Sequence, residues 1–137
     1  MHRRLRERLA HCDEWITVHG SADVRPVLGG LGNIDSFTFD DFDREGMTLR
    51  LFDLETKQWS IHWADTTRGK LDPPLYGTFE NGVGTFYGDD THAGQPVRVR
   101  FLWRDLGPEA ASWEQAFSAD GGATWETNWT MALTRLA

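Results

Sequence analysis

Few residues in this chain have the type and spacing to do chemistry. His62 lies in "WSIHWAD", between Trp59 and Asp65. An imidazole titrates near neutrality and can serve as a general base. "GDDTH" (Gly88 to His92) gathers two carboxylates and an imidazole, the ligand types of a divalent metal. Adjacent Asp residues on an extended backbone point to opposite sides, so the segment reads as a turn. "DFDREG" (Asp41 to Gly46) starts like a calcium loop, but the twelfth position from Asp41 is Phe52, where a bidentate Glu is needed. "LGGLGN" (Leu28 to Asn33) lacks both the GxGxxG spacing and a following helix, so its glycines read as close backbone approach at a rim. Cys12 is the only cysteine, which leaves no internal disulfide and no cysteine metal cluster; beside His11 in a terminal loop it is not a catalytic Cys/His constellation. No metal and no cofactor are expected.

The aromatic residues form a clearer pattern. Seven Trp occur in 137 residues, and in four segments apolar residues alternate with polar ones. Trp59, Ile61 and Trp63 share one face and Ser60 and His62 the other. Val97, Val99, Phe101 and Trp103 oppose Arg98, Arg100 and Arg104. Trp113, Gln115 and Phe117 oppose Glu114 and Ala116. Trp125, Thr127, Trp129, Met131 and Leu133 oppose Glu126, Asn128 and Thr130. Period-two alternation is the mark of a half-buried strand. It places Trp63, Trp103, Trp113 and Trp129 inside, with Gln115 and Thr127 as isolated polar residues among them. Those six are the candidate ligand-binding residues: apolar walls with a few orienting polar groups are the usual make-up of a small-molecule site.

The elements that must position them are strands. Runs rich in Val, Ile, Thr, Phe and Trp span Glu14–Val24, Asn33–Phe39, Met47–Asp53, Gln58–Ala64, Leu75–Phe79, Gly84–Gly88, Pro96–Arg104, Ala111–Ser118 and Thr124–Leu136. The turn signals "DREG", "LETK", "ENG", "DDTHAGQ", "LGPE" and "DGG" separate them. Connections this short suit antiparallel neighbours. Only the first dozen residues could be helical, with Leu5 and Leu9 four apart. Nine or so meandering strands must hide their edges, and closure does that. The expected fold is an all-β, antiparallel, up-and-down barrel of about nine to ten strands, a single domain over 1–137.

The net charge of −7 disfavours nucleic acid and anionic membrane as partners, because phosphates would be repelled on average. The basic stretch "HRRLRERL" (His2 to Leu9) is diluted by Glu7, Asp13 and Glu14 and reads as a solvated terminal segment. There is no apolar signal region and no run near the ~20 apolar residues of a membrane span. A cytoplasmic protein is expected, and the formal sequon at Asn128 reads as a chance match.

Two resemblances bear on this reading. "SADGGATW" (Ser118 to Trp125) matches Ser-x-Asp-x-Gly-x-Thr-Trp and resembles the Asp-box of sialidases and other β-propellers. A propeller needs about four or more four-stranded blades, and the octet occurs once, so it reads as a structural hairpin. The segments "VRPVLGGLGNID", "LRLFDLETKQWSIHWAD", "DPPLYGTFENGVGTFYGDD", "VRVRFLW" and "WEQAFSADGGATWETNW" resemble a bacterial domain family of unknown function. That resemblance covers roughly Arg3 to Arg135 and implies a calycin-like (lipocalin-like) barrel. It also implies that "HRRLRERL" continues a first strand carrying Gly-x-Trp. It implies no particular chemistry.

The expected function is binding of a small hydrophobic or aromatic molecule inside the barrel. The alternative is a cofactor-independent isomerase or cyclase acting on a hydrophobic substrate. Its acid–base candidates are His62, Glu114 and Arg100, which requires the facing to be reversed. A third reading is a homodimer associating through surface aromatics.

Overall fold

The computed structural model describes residues 1–5, 7–40 and 43–136. Among these residues eleven strands form one antiparallel sheet: β1 (His2–Leu5), β2 (Trp15–Val18), β3 (Gly20–Val27), β4 (Gly32–Phe39), β5 (Glu45–Phe52), β6 (Trp59–Asp65), β7 (Leu75–Glu80), β8 (Val83–His92), β9 (Gln95–Asp105), β10 (Ala110–Ser118) and β11 (Glu126–Thr134). Their spatial order is β2-β1-β11-β10-β9-β8-β7-β6-β5-β4-β3. The two edges are consecutive in the chain and separated by His19 alone. On one side Val18 pairs with His2, and on the other Gly20 pairs with Phe39. The His19 carbonyl accepts the Asp40 N–H at 2.8 Å. One bent strand thus serves both edges, and the sheet curls into a nearly closed barrel. Gly20 permits the bend, since a Cβ there would collide with the Thr38 carbonyl. The expected all-β, antiparallel, up-and-down barrel is what the chain forms, and it is compatible with a calycin-like fold; among the described residues it has eleven strands in place of nine or ten.

Several boundaries differ from expectation. The run Glu14–Val24 is two strands, because the barrel edge changes hands at His19. The first residues pair as a strand with β11 and β2 and are not helical. "GDDTH" belongs to β8, since the turn is the two residues Ala93 and Gly94 between paired His92 and Gln95. Both have positive φ, 51° and 80°, the geometry of a tight hairpin turn that matches strand twist. Asn81 and Gly82 turn the β7–β8 hairpin in the same way. Asp41 and Phe42, which open "DFDREG", lie outside the described residues, and Glu45 and Gly46 begin β5.

The core lies inside the barrel. Phe37, Ile61, Leu75, Phe86, Val97, Val99, Phe101, Trp113, Phe117, Trp129 and Met131 are buried. They come from β4 and β6 to β11, whose alternate residues face inward. The β6–β7 ladder is short, with Trp59, Ser60 and Ile61 opposite Gly77, Tyr76 and Leu75. Beyond Ile61 the strands part, and the Asp72 N–H donates instead to the Trp63 carbonyl at 2.8 Å. This parting forms part of the mouth of the interior. Among the described residues no helix is long and apolar enough to cross a membrane.

Candidate functional site

The interior holds a cavity of about 760 Å³. Trp63, Trp103, Trp113, Gln115 and Trp129 all line it. Trp129 meets Trp113 and Trp63 edge-on, with ring centroids 5.4 and 6.1 Å apart, and Trp113 meets Phe101 edge-on at 5.0 Å. Edge-to-face packing of this kind stiffens an aromatic wall. Trp63 lies close over β5 because Gly46 has no side chain: a Cβ there would strike the indole. Phe37, Arg50, Ile61 and Trp103 also face a smaller apolar cavity of about 280 Å³. The Trp103 Nε1–H is buried without an acceptor among the described residues.

Thr127 is not part of this wall. The β10–β11 register shifts between Gln115, opposite Trp129, and Ala116, opposite Thr127. Asn128 is the extra residue of a bulge. It is fully buried and accepts the Gln115 Nε2–H at 2.8 Å. Beyond the bulge the alternation inverts. Thr127 joins a row with Ala116, Arg100 and Tyr87, and Glu126 pairs with Phe117. Trp125, expected inside, packs on that outer row, 6.0 Å from Tyr87 and 4.7 Å from the Arg100 guanidinium. Ala116, expected on the exposed face, is in the same row and fully buried.

The "SADGGATW" octet ties the turn between these strands. The Asp120 carboxylate accepts the Thr124 N–H at 2.9 Å and also the Thr124 and Ser118 hydroxyls. The Gly122 N–H donates to the Ser118 hydroxyl at 2.9 Å, and the Trp125 Nε1–H to the Gly122 carbonyl at 3.1 Å. Those donors hold the Asp120 pKa down to about 2.

Sequence reasoning missed the polar half of the cavity. His2, Arg4, Arg8, Arg44, Thr48, Arg50 and Asp65 line it. The stretch read as a solvated terminal segment therefore supplies three inward side chains. The signal was the alternation itself, since His2 and Arg4 are two apart on a strand. Asp35, only 2% exposed, pairs with Arg50 at 2.8 Å and accepts the Thr48 N–H at 3.0 Å. Arg44 pairs with Asp65 at 2.5 Å. Burial pushes the Asp65 pKa up, but the Arg44 hydrogen bond and charge more than offset it. Arg4 lies 4.8 Å over the Trp129 ring, and Arg8 lies 5.4 Å over Phe117. Burial, then the charges of Arg4 and Arg44, lower the Arg8 pKa to about 10. His2 accepts the Trp129 Nε1–H on Nδ1 at 3.2 Å. Burial first, then the positive chain terminus and Arg4, lower its pKa to about 4.

The acid–base candidates lie elsewhere. His62 shares a 3.0 Å hydrogen bond with Ser60 on the face opposite Ile61. Glu114 pairs with Arg104 at 3.2 Å, and Arg100 covers Trp125. None of the three lines the cavity. Of "GDDTH", Asp89, Asp90, Thr91 and His92 reach the cavity mouth, where Asp89 pairs with Arg98 at 3.0 Å. Among the described residues no three His, Cys, Asp or Glu side chains gather as a metal site would require. No protein-family model matches the chain, and a comparison with the curated proteins finds no match. The architecture is thus a nearly closed antiparallel barrel compatible with the calycin-like fold, enclosing an aromatic cavity with a cationic end.

Proposed function

We propose that the protein binds a small hydrophobic or aromatic molecule within the barrel. One observation carries this reading: the aromatic side chains make a wall and do not fill the space they enclose, leaving about 760 Å³. That volume lies within the roughly 300–1,000 Å³ range of small-molecule sites. Trp63, Trp103, Trp113 and Trp129 would supply stacking and apolar contact. Gln115 is a poorer hydrogen-bond donor than its position alone suggests, since Asn128 already engages its amide. Thr127, in the outer row, has no part in this proposal. A cytoplasmic setting suits a chain whose one cysteine is unpaired. The net charge of −7 argues against nucleic acid as a partner.

The test is a titration with N-phenyl-1-naphthylamine, following both probe emission and intrinsic tryptophan emission. Saturable binding with quenching of tryptophan is expected. Trp63→Ala should weaken it by about tenfold or more, as loss of one large aromatic contact implies. Trp125→Phe, on the outer face, should leave it unchanged. Absence of saturable binding in the folded protein would end the proposal.

A further inference from the structure

The interior arginines are of two kinds. Arg44 and Arg50 are neutralised by Asp65 and Asp35. Arg4 and Arg8 have no carboxylate within ion-pair distance among the described residues, yet both lie against apolar rings. Arg4 is 4.8 Å from the Trp129 ring, and Arg8 is 5.4 Å from Phe117 and 5.9 Å from Trp129. Cation–π attraction offsets part of the desolvation cost, but a ring face leaves the N–H groups without a good acceptor. Arg4 Nε and Arg8 Nη2 are buried with no hydrogen-bond partner, as is Arg44 Nε. Arg4 and Arg8 are half-buried, and a partly desolvated cation without an ion-pair partner is costly to hold. The acidic residues nearby are otherwise engaged. Glu126 accepts the Leu9 N–H at 2.7 Å; its charge is felt at Arg8, as that of Asp65 is at Arg4, without an ion pair forming in either case. At the mouth, Asp72 pairs with Arg68, Asp89 with Arg98, and Asp90 caps the Thr91 N–H.

From this we infer that the molecule bound in the barrel is an organic oxyanion. Its apolar body lies along the Trp63–Trp129–Trp113 wall, and its carboxylate, sulfonate or phosphate head sits at the guanidiniums of Arg4 and Arg8. The inference rests on the ligand-binding reading above and narrows it to one chemical class. Guanidinium forks match the two-oxygen edge of such heads and make charge-assisted bonds with them. Trp129 touches both the cationic end and the aromatic wall, so one indole joins the head and body subsites.

The experiment uses two probes with the same body. 8-Anilinonaphthalene-1-sulfonate carries a sulfonate, and N-phenyl-1-naphthylamine lacks it. The wild-type protein is expected to bind the sulfonate at least about tenfold more tightly, the scale of one charge-assisted hydrogen bond. Arg4→Gln and Arg8→Gln should each remove most of that preference, read as the ratio of the two probes' affinities within each variant, and Arg8→Lys should retain part of it. Circular dichroism and thermal melting check that the variants fold, and the wild-type comparison needs no variant. In competition, 1-naphthylacetate should displace the sulfonate probe and 1-naphthylacetamide should not. Equal affinity for the two probes would overturn the anionic head while leaving the cavity reading intact. A sulfonate preference that survives both Gln variants would place the anion elsewhere and overturn it as well. Displacement by inorganic phosphate at matched concentration would show that a bare anion suffices, against an organic body. Failure of both probes to bind would remove the cavity reading and this inference together.

Discussion

His2 is buried, accepts a hydrogen bond from Trp129 and is held to a pKa of about 4 against an ordinary value of 6.5. Its folded form resists protonation while the unfolded chain does not. Above pH 6.5 both states are neutral at this residue, and it makes no contribution to pH dependence. As the pH falls from 6.5 towards 4, the unfolded state binds more protons and the barrel loses stability, until the loss levels off below 4. The expected outcome is an imidazole titration with a midpoint near 4 by proton NMR, and a melting temperature that falls across that window. In His2→Phe that part of the pH dependence should disappear. The polar interior also explains what could be read from the residues. The four inward Trp stood out because apolar and polar residues alternate in β6, β9 and β10 and in β11 from Trp129 onward. Arg50 did not, because in β5 Leu49 and Leu51 alternate with Thr48 and Arg50, and hydrophobicity favours the leucines inside. The buried Asp35–Arg50 pair instead turns Arg50 inward, and a partner on the neighbouring strand is invisible to local periodicity.

Among the elements, the β10–β11 hairpin shows where alternation fails. Up to Gln115 the inward residues follow the period-two rule. The bulge at Asn128 then inserts one residue and exchanges the faces of Thr127 and Glu126. Nothing in the local composition marks a bulge, so Thr127 and Trp125 were expected on the wrong side. The clasp at Asp120 was legible, because its residue types and spacing specify the hydrogen bonds of the turn. Its carboxyl is held at about pH 2 against 3.8, so its contribution is complete above 3.8 and is lost as pH falls through 2. Asp120→Ala is expected to lower the melting temperature at neutral pH and to flatten the acid limb below pH 4. The emission of Trp125 should shift to the red as its indole loses the Gly122 carbonyl. Unchanged emission and melting would show that the turn holds without the carboxylate. At the other end of the chain, β1 was read as a solvated segment because four arginines in eight residues resemble a surface. Only the pairing with β11 and β2 shows that Arg3 faces out while His2 and Arg4 face the interior.

For the molecule as a whole, the barrel shape followed from the number of strands and the shortness of their connections, and the manner of closure did not. A run such as Glu14–Val24 looks like one strand, and it takes the assembled sheet to show that its halves serve opposite edges. That closure has a kinetic consequence. The β1–β11 ladder joins His2 to Met131, a pairing that must wait for nearly the whole chain, whereas the hairpins between β3 and β10 close locally. Contacts of such high sequence separation form late, after the loop-closure entropy has been met by other interactions. Arg4 and Arg8 belong to this last-formed part. An anionic probe held by them would stabilise the native barrel without stabilising the transition state that precedes closure. In a chevron experiment, saturating 8-anilinonaphthalene-1-sulfonate should therefore slow unfolding and leave the refolding arm nearly where it was. An equal change in both arms would mean that the first strand is already docked when the rate is decided.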